Sequence, residues 1–393
     1  MSDERPVAIA GAGIAGLTLA AALQRAGRPV VVLERRPATV PAGGSGLSIW
    51  PNALAALDRI GLGDAVRTAG RRAVPAGTRT PDGRWLQRPG RERLREALGE
   101  ELVGIRRTAL LEALAGGLDA GVVRAGRAVE GFEPLADRVV LRLDGGERLE
   151  ASVLVGADGI ASPVARALDP RLRPRPAGYL GWRGIAPLAT GEDPCQFWGP
   201  AREAGLMPVG PRETYWFTTE RAGPDARRPP DPHAHLAHRF ADWDPELLAL
   251  IAATPEHELL WHPIEDRRMP RRWSRGRVVA IGDAAHPTRP HLGQGGAQAI
   301  EDGVLLGGLL AAGGDPTVAF ARFERLRRPR VRRIVVVSSL LGRALHSPAP
   351  IGVPFRIGAR VSPDAMMLAQ LRPVASRAAF ERHAARVLSA APR

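Results

Sequence analysis

The chain has 393 residues, enough for roughly two to three domains with a substantial buried core. Hydrophobic residues make up 45% and charged residues 24%, a composition typical of a folded globular protein and unlike that of a disordered one. The formal net charge of +14 rests on arginine alone, because the sequence contains no lysine. The arginines are scattered without a continuous basic run, so we expect no nucleic-acid partner.

Cysteine content and hydropathy limit the class of protein further. Cys195 is the only cysteine, which excludes an intrachain disulfide and a cysteine-based metal cluster, and its simplest role is in the core. The apolar stretch from Ile9 to Leu23 follows Asp3 and Glu4 and is interrupted by glycines, which argues against a signal peptide. No apolar run approaches the roughly 20 residues of a bilayer-spanning helix. We predict a cytoplasmic monomer or homodimer that binds no metal and no membrane.

The first elements form a strand, helix and strand unit. Val7 to Ala10 is a short apolar run, an alanine- and leucine-rich stretch extends to Ala26, and Val30 to Leu33 is a second apolar run. The connection is long enough for a parallel pair, so the second strand should lie beside the first with the helix packed over both. The predicted fold class is therefore α/β.

Later segments extend this pattern. Residues 179–262 are rich in tryptophan and proline, with short strand-like pieces between turns, which predicts a mixed sheet. The other predicted elements are a helix from Pro51 to Ile60, a helix from Arg107 to Leu118, a strand from Val139 to Leu143 that turns at Asp144-Gly145-Gly146 and returns at Val153 to Val155, a buried parallel-type strand from Arg277 to Ile281 and a helix from Ala297 to Ala312.

A glycine pattern lies between the first strand and the first helix. In the GxGxxG pattern that begins at Gly11, the first glycine permits a tight turn, the second lets the backbone approach a pyrophosphate, and the third lets helix and strand pack closely. The start of the helix then faces the phosphate with its amide donors and its positive dipole end. The predicted dinucleotide contacts here are Gly11, Gly13, Ile14, Ala15 and Gly16.

Glu34 strengthens this prediction because it stands at the end of the second strand. A carboxylate there accepts the ribose hydroxyls of an adenosine and repels a phosphorylated ribose, which favours FAD or NAD over NADP. We predict that Arg35 lies beside the same cofactor. The alternative is that Glu34 is a surface residue that pairs with Arg35 or Arg36.

Two further segments follow predicted strands: Gly156-Ala157-Asp158-Gly159 and Gly282-Asp283-Ala284-Ala285-His286-Pro287. With the glycine pattern before them, and in this order, they make nearly the whole chain resemble the p-hydroxybenzoate and salicylate hydroxylase-like family of flavoprotein monooxygenases. The resemblance implies FAD as cofactor, NADH or NADPH as transient co-substrate, and dioxygen as oxidant. It also implies a flavin hydroperoxide that hydroxylates or epoxidises a small aromatic or planar apolar substrate.

The resemblance implies a fold as well. It predicts a Rossmann-type FAD-binding domain with a parallel sheet, interrupted by a mixed β-sheet substrate domain and followed by C-terminal helices. The FAD-binding domain would comprise residues 1–75, 100–175 and 263–345, and the substrate domain residues 76–99 and 176–262. Residues 346–393 would form the C-terminal helical segment.

Three charged residues match family positions that bind FAD. Arg107, with Arg106 as a rival, matches the arginine that contacts the flavin chain and pyrophosphate. Asp158 matches the residue that binds around the pyrophosphate and the nicotinamide, and Asp283 matches the carboxylate that holds a ribityl hydroxyl. Both aspartates have an alternative role as turn residues, since Asp-Gly is common in turns. After them, the positions expected to lie against the flavin are Pro290, Gly293, Gly295 and Gly296.

The substrate side offers candidates without a firm role. Trp182 and Arg183 lie in a segment that resembles the family's first substrate-domain strand, and both are candidate substrate contacts. Tyr215 and His291 are candidate catalytic and substrate-binding residues, although packing for Tyr215 and solvent exposure for His291 are the alternatives. Glu203 stands where urate hydroxylases of similar sequence carry an arginine, so urate is a doubtful substrate.

Two other functions remain open from the sequence. A flavin-dependent reductase of the same fold would hydrogenate its substrate without activating dioxygen. A flavin- or nucleic-acid-binding regulatory protein would rest only on the positive charge and would bind DNA in a salt-sensitive way.

Overall fold

The computed structural model describes residues 5–37, 45–191, 193–347, 358 and 364–389. Its strands, numbered in chain order, are β1 (Val7–Ala10), β2 (Val30–Glu34), β3 (Gly46–Ile49), β4 (Arg71–Ala73), β5 (Gly77–Arg79), β6 (Trp85–Gln87), β7 (Leu102–Arg106), β8 (Val123–Ala125), β9 (Val129–Pro134), β10 (Val139–Leu143), β11 (Arg148–Ala151), β12 (Val153–Gly156), β13 (Arg175–Ala186), β14 (Cys195–Gly199), β15 (Arg202–Gly210), β16 (Glu213–Arg221), β17 (Leu260–Asp266), β18 (Ser274–Arg275) and β19 (Val278–Ala280). Its α-helices are α1 (Ile14–Arg25), α2 (Pro51–Arg59), α3 (Gly63–Ala69), α4 (Arg91–Leu98), α5 (Arg107–Ala115), α6 (Pro163–Leu168), α7 (Pro232–Arg239), α8 (Pro245–Ala253), α9 (Gly295–Ala311), α10 (Pro316–Leu345), α11 (Asp364–Ala375) and α12 (Arg377–Leu388).

A six-stranded sheet of order β18-β19-β12-β1-β2-β8 carries the glycine-rich turn. All its neighbours pair in parallel except β18 and β19, and the predicted pairing of the first two strands is confirmed. Helix α1 packs against α9 at glycine positions, because a Cβ on Gly303 would lie 2.8 Å from the Leu19 nitrogen. This close approach brings the starts of both helices to the same edge of the sheet.

The hairpin predicted for residues 139–155 is wrong in its second strand. Strand β10 pairs with β9 and β11 in a separate three-stranded sheet, whereas β12 lies between β1 and β19 in the six-stranded sheet. The chain changes sheets at Ser152, whose N–H donates to the Pro6 carbonyl. Strand β11 is mostly polar and half exposed, so it lacks the apolar signal by which β12 is recognised.

The largest sheet of the described residues has seven strands, in the order β17-β13-β16-β15-β14-β5-β6. Its strands pair antiparallel except β14 and β5, which are parallel, so the predicted mixed sheet is confirmed. Trp182 and Trp216 are fully buried in its core, against Leu247 and Ile251 of α8. Strands β5 and β6 reach this sheet from an earlier part of the chain, while the exact domain boundaries stay a prediction.

The predicted helices form with small shifts at their ends. Helix α5 ends at Ala115, three residues before the predicted end, where Gly116 takes the C-cap position. Near the C-terminus, α12 packs against α2, with Phe380 fully buried and an ion pair between Arg59 and Glu381. Within the described ranges, no helix combines the length and the apolarity needed to cross a bilayer.

Candidate active site

A cavity of about 1210 Å³ lies between the glycine-rich turn and the face of the seven-stranded sheet. The start of α1, the loop at residues 288–296, strands β13, β15 and β16, and helices α10 and α11 all contribute to its wall. Pockets for one small ligand occupy roughly 300–1,000 Å³. The cavity is therefore large enough for an extended cofactor and a second ligand.

The glycine-rich turn forms one end of this cavity. Gly13, Ile14 and Ala15 line it, and no side chain caps the start of α1, so the first amides of the helix are free to bind an anion. Gly11 and Gly16 lie behind the wall and allow the tight turn. Gly11 has a φ of +105°, which disfavours any other residue there. A Cβ at this position would also lie 2.5 Å from the Ala157 oxygen, so there is no room for a side chain.

Glu34 is buried beside this turn. Its Oε2 accepts from the Ala12 amide at 2.9 Å, and its Oε1 accepts from the amide and Nε of Arg36 at 3.0 and 2.9 Å. Burial alone would raise the pKa of Glu34, but these hydrogen bonds hold it below its usual value. Glu34 thus pairs with Arg36, which is one of the alternatives that the sequence left open, but Glu34 is buried and does not lie on the surface. Arg35 is exposed and lies outside the cavity wall.

The two adjacent arginines at the end of β7 have different surroundings. Arg106 pairs with Glu213 at 2.8 Å and with Glu258 at 3.3 Å. Arg107 lines the cavity, where burial lowers the pKa of its guanidinium and the nearby Asp283 carboxylate opposes that shift. Of these two arginines, only Arg107 is therefore placed to bind a phosphate group in the cavity.

Asp158 lies behind the wall, while its neighbours Ala157 and Gly159 line the cavity. Its Oδ2 is 3.5 Å from the Val164 amide at the start of α6, and its buried Oδ1 has no partner among the described residues. Burial raises the pKa of this carboxyl. Its expected role around the pyrophosphate and nicotinamide stays a prediction.

Asp283 points its carboxylate into the cavity. This carboxylate accepts no hydrogen bond from the described residues, and burial raises its pKa while His286 and Arg107 oppose the shift. Asp302 of α9 holds the turn that carries Asp283. Its carboxylate accepts from the Gly282 amide at 2.9 Å and lies 2.5 Å from the His286 Nε2. His286 thus shapes the turn and does not face the cavity.

Asp302 belongs to a buried charge cluster that the sequence did not reveal. Arg327 of α10 lies between Asp302 and Glu301, at 2.8 and 2.5 Å, and Arg330 pairs with Glu301 at 2.8 Å. The arginines and the carboxylates are about 25 residues apart in the chain, so only the packing of α10 on α9 brings them together. The cluster supports the start of α9 beneath the cavity.

The loop before α9 forms the middle of the cavity wall. Pro290 and Gly293 of this loop, with Gly295 and Gly296 at the start of α9, all line the cavity, and no side chain caps the start of α9. Their contact with the flavin stays a prediction. Gly293 has a φ of +59°, and a Cβ there would lie 2.9 Å from the Ser48 hydroxyl oxygen. Backbone, rather than side chains, therefore faces the cavity at this point.

Arg183 and Tyr215 line the opposite wall, on β13 and β16. Arg183 is half buried, and no carboxylate among the described residues lies within ion-pair distance of it. Burial holds the pKa of nearby His262 at about 4, with Arg183 adding to that effect, and burial also raises the pKa of Tyr215. Trp182 is fully buried and donates its indole N–H to Glu220 at 3.1 Å, so it shapes the wall without offering a donor.

His291 lines the cavity, but both of its ring nitrogens already have partners. Nδ1 lies 2.8 Å from Glu203 Oε2, and Nε2 lies 2.7 Å from the Tyr179 hydroxyl. Nδ1 faces a carboxylate oxygen that can accept, and Nε2 faces a hydroxyl that can donate or accept, so both ring nitrogens can be hydrogen-bonded at once. The ring is buried rather than solvent-exposed, and a proton transfer to substrate would have to break one of these bonds.

Glu203 is thus hydrogen-bonded to His291, and the neighbouring Arg202 does not line the cavity. The guanidinium of Arg202 lies 5.6 Å from the ring centres of both Phe240 and Trp243. The doubt about urate as a substrate stays a prediction.

The residues present fit FAD. A cavity-facing carboxylate without a protein partner suits the hydroxyl donors of a ribityl chain, and Arg107 beside it suits a pyrophosphate. Two uncapped helix starts, of α1 and α9, face the same space. Within the described part of the chain, no group of histidine, cysteine and acidic residues could hold a metal ion.

Comparison with known proteins gives consistent matches. The family model described as FAD binding domain matches residues 4–336. The chain is 35% identical over 340 residues to the aurachin C monooxygenase/isomerase of Stigmatella aurantiaca, which covers 86% of this chain and 88% of that protein. It is 36% identical to the 3-amino-4-hydroxybenzoate 2-monooxygenase of Streptomyces cremeus over 87% of this chain and 88% of that protein. The crystal structure of Klebsiella pneumoniae HpxO with FAD and uric acid superposes with a TM-score of 0.86 at 27% identity, covering 94% of this chain and 96% of that one.

Proposed function

Because this chain belongs to the family of FAD-dependent aromatic hydroxylases, and is therefore an FAD-dependent monooxygenase, we propose that it hydroxylates an aromatic or planar ring that carries an oxygen substituent. Bound FAD supplies the chemistry, since it accepts a hydride from NADH or NADPH and activates dioxygen for transfer of one oxygen atom. The protein supplies binding, orientation and exclusion of water.

The FAD would be held by three parts of the wall. The amides at Gly13 and Ile14 and the Arg107 guanidinium would bind the pyrophosphate, and Asp283 would accept from the ribityl chain. The uncapped start of α9, at Gly295, would direct its positive end at the flavin. Asp158 and Arg35 lie outside this wall and would contact the cofactor only from there.

The main observation behind the proposal is that one continuous cavity contains both the expected FAD site and a compartment for a second ligand. The space beside Asp283 runs without interruption past the loop of Pro290 to a compartment lined by Tyr215, Phe217 and Met207. A planar apolar ring placed there would lie next to the flavin, in mostly apolar surroundings.

Arg183 would orient the substrate. It contributes a positive charge to the cavity without a carboxylate partner among the described residues, and its neighbour His262 is neutral near pH 7 because burial lowers its pKa to about 4. A phenolate, enolate or carboxylate oxygen would supply the missing negative charge. We expect Arg183→Met to raise the KM of a phenolic substrate about 10- to 100-fold, with bound FAD retained and Arg183→Lys intermediate.

Substrate-dependent oxygen use is the direct test. FAD-loaded protein is given NADH or NADPH with phenolic, indolic and polycyclic compounds, and oxygen uptake and product are measured. An oxygenated product formed with stimulated oxygen uptake supports the proposal. Flavin reduction and a hydrogenated product without oxygen uptake would instead support the reductase, and DNA retention that declines with salt would support a regulatory protein.

We also propose that the protein acts in the cytoplasm as a monomer or homodimer, as the sequence predicts. The single cysteine supports a reducing compartment. Size-exclusion chromatography with light scattering measures the oligomeric state directly.

A further inference from the structure

The cavity does not end at the ring compartment. It continues as an arm between α10 and α11, and the residues that face it recur at helical spacing on both helices. Helix α10 contributes Ile334, Val337, Leu341 and Ala344, and α11 contributes Met367, Leu371 and Val374. Each set forms one stripe along its helix, so both walls of the arm are mainly apolar, with Arg333 and Gln370 as the polar side chains among the described lining residues of these helices.

The arm begins at the wall of the ring compartment. Gly342 of α10 faces His291, and a Cβ on this glycine would lie 2.4 Å from the His291 Nε2. The close approach places this turn of the helix, with Leu341 and Ala344, beside the loop against which the flavin is expected to lie. A ligand ring in the compartment would therefore have its far edge at the opening of the arm.

The arm also leaves apolar side chains uncovered. Large hydrophobic side chains that are exposed are few among the described residues, and three of them, Val336, Val337 and Leu340, follow one another within five residues of α10 at 46%, 39% and 57% exposure. Val337 and Leu340 also line the cavity. A ligand that covers this apolar surface would be stabilised, because covering it releases ordered water.

We propose that this arm binds a hydrocarbon tail on the substrate, so that the natural substrate is an oxygen-bearing aromatic ring with a long aliphatic chain. The inference rests on the proposed function, because the ring must lie beside the flavin for the chain to enter the arm. A substrate tail accounts for the continuity of the arm with the ring compartment, which a protein partner on the outer surface would not require. Arg183 lines the same cavity as the arm, so the charge would bind the oxygen substituent while the arm binds the tail.

Calorimetric titration of FAD-loaded protein without NADH or NADPH tests the arm independently of turnover. The ligands are para-alkylphenols with methyl, propyl, pentyl, heptyl and nonyl chains. We expect Kd to fall about fourfold per added methylene, the equivalent of about 0.8 kcal/mol, until the arm is filled. The heat-capacity change of binding should become more negative along the same series.

A variant that fills the arm gives the second measurement. Ala344→Trp should abolish the dependence of Kd on chain length, whereas Val318→Trp, at a 66% exposed position on the same helix and outside the cavity wall, should leave the dependence intact. Thermal unfolding of both variants checks that they fold.

The experiments distinguish an error in the tail-binding hypothesis from an error in the proposed function. A Kd that does not change with chain length, or a dependence that persists in Ala344→Trp, overturns the arm even if the short phenols stimulate oxygen uptake. A chain-length dependence that Ala344→Trp removes supports the arm even if no phenol stimulates oxygen uptake, which would count against hydroxylation alone.

Discussion

Replacement of Arg327 by methionine should destabilise the protein strongly, because Arg327 compensates two buried carboxylates at once. The side chain is fully buried, its Nε lies 2.8 Å from Asp302 and a terminal nitrogen lies 2.5 Å from Glu301. Another terminal nitrogen donates to Gln298 Oε1 at 3.0 Å. Methionine keeps most of the apolar volume, so the change removes the charge and its hydrogen bonds with little loss of packing.

The remaining partners limit the loss. Glu301 keeps Arg330 at 2.8 Å and Asn52 at 2.7 Å, whereas Asp302 keeps only His286 and the Gly282 amide. Removal of one partner from a buried ion pair costs about 3–5 kcal/mol. Burial alone would raise the pKa of Glu301, but Arg330, Arg327 and Asn52 together hold it at about 2, below its ordinary value of 4.5. Because Arg330 and Asn52 remain in the variant, Arg327→Met should raise this pKa only part of the way back.

The pH dependence has a definite sign. A carboxylate with a lowered pKa contributes its full stabilisation above its unfolded pKa and loses it as pH falls towards the folded pKa. For Glu301 this window extends from about 4.5 down to about 2. The wild-type protein should therefore lose stability through this window, and the dependence should be flatter in Arg327→Met because part of the contribution is already absent.

Urea titration at several pH values, followed by tryptophan fluorescence of the apoprotein, measures both effects. Arg332→Met is the matched control, since Arg332 is an exposed arginine on the same helix and its replacement should change stability by less than about 0.5 kcal/mol. A free energy of unfolding for Arg327→Met within about 1 kcal/mol of wild type would refute the reasoning, because it would mean that the buried carboxylates do not need this cation.

Three further changes test the cavity wall. Asp283→Ala should weaken FAD binding about 10- to 100-fold through loss of a charged hydrogen-bond acceptor, measured as flavin absorbance per protein after dialysis; unchanged flavin content would remove the assigned role. Gly46→Ala should raise the KM for substrate, because its Cβ would lie 2.4 Å from the Tyr215 ring; normal kinetics would show that this ring does not border the substrate. Glu203→Leu should cost about 1–3 kcal/mol in urea titration by leaving His291 Nδ1 without an acceptor, and Glu203→Gln should cost less; equal losses would contradict the hydrogen-bond argument.

Local sequence signals predicted the FAD half of the fold well. The glycine-rich turn, the two strands beside it and the loop before α9 are each encoded within a short stretch, where the need for a tight turn or a close backbone approach admits only glycine. Strand β11 escaped prediction because its residues are mostly polar. The choice between Arg106 and Arg107 also required the structure, since only the direction of each side chain separates them.

The polar clusters could not be predicted, because they join residues far apart in the chain. Glu203 and His291 are separated by 88 residues, and Tyr179 and His291 by 112. No periodicity marks such a pair, and each residue alone fits a surface position or a packed core equally well. The same holds for Arg327, which resembles every other arginine of an arginine-rich chain until α10 packs on α9.

These distant contacts also connect the two halves of the site. The loop of Pro290 and Gly293 belongs by sequence to the FAD side, yet His291 within it is bound to Glu203 of β15 and lies against Gly342 of α10. A substrate ring in the compartment would contact β15, and its tail in the arm would contact α10. Such a substrate would therefore contact both elements that hold this loop. Since the loop is also the expected resting place of the flavin, we expect substrate occupancy and flavin position to be coupled through His291.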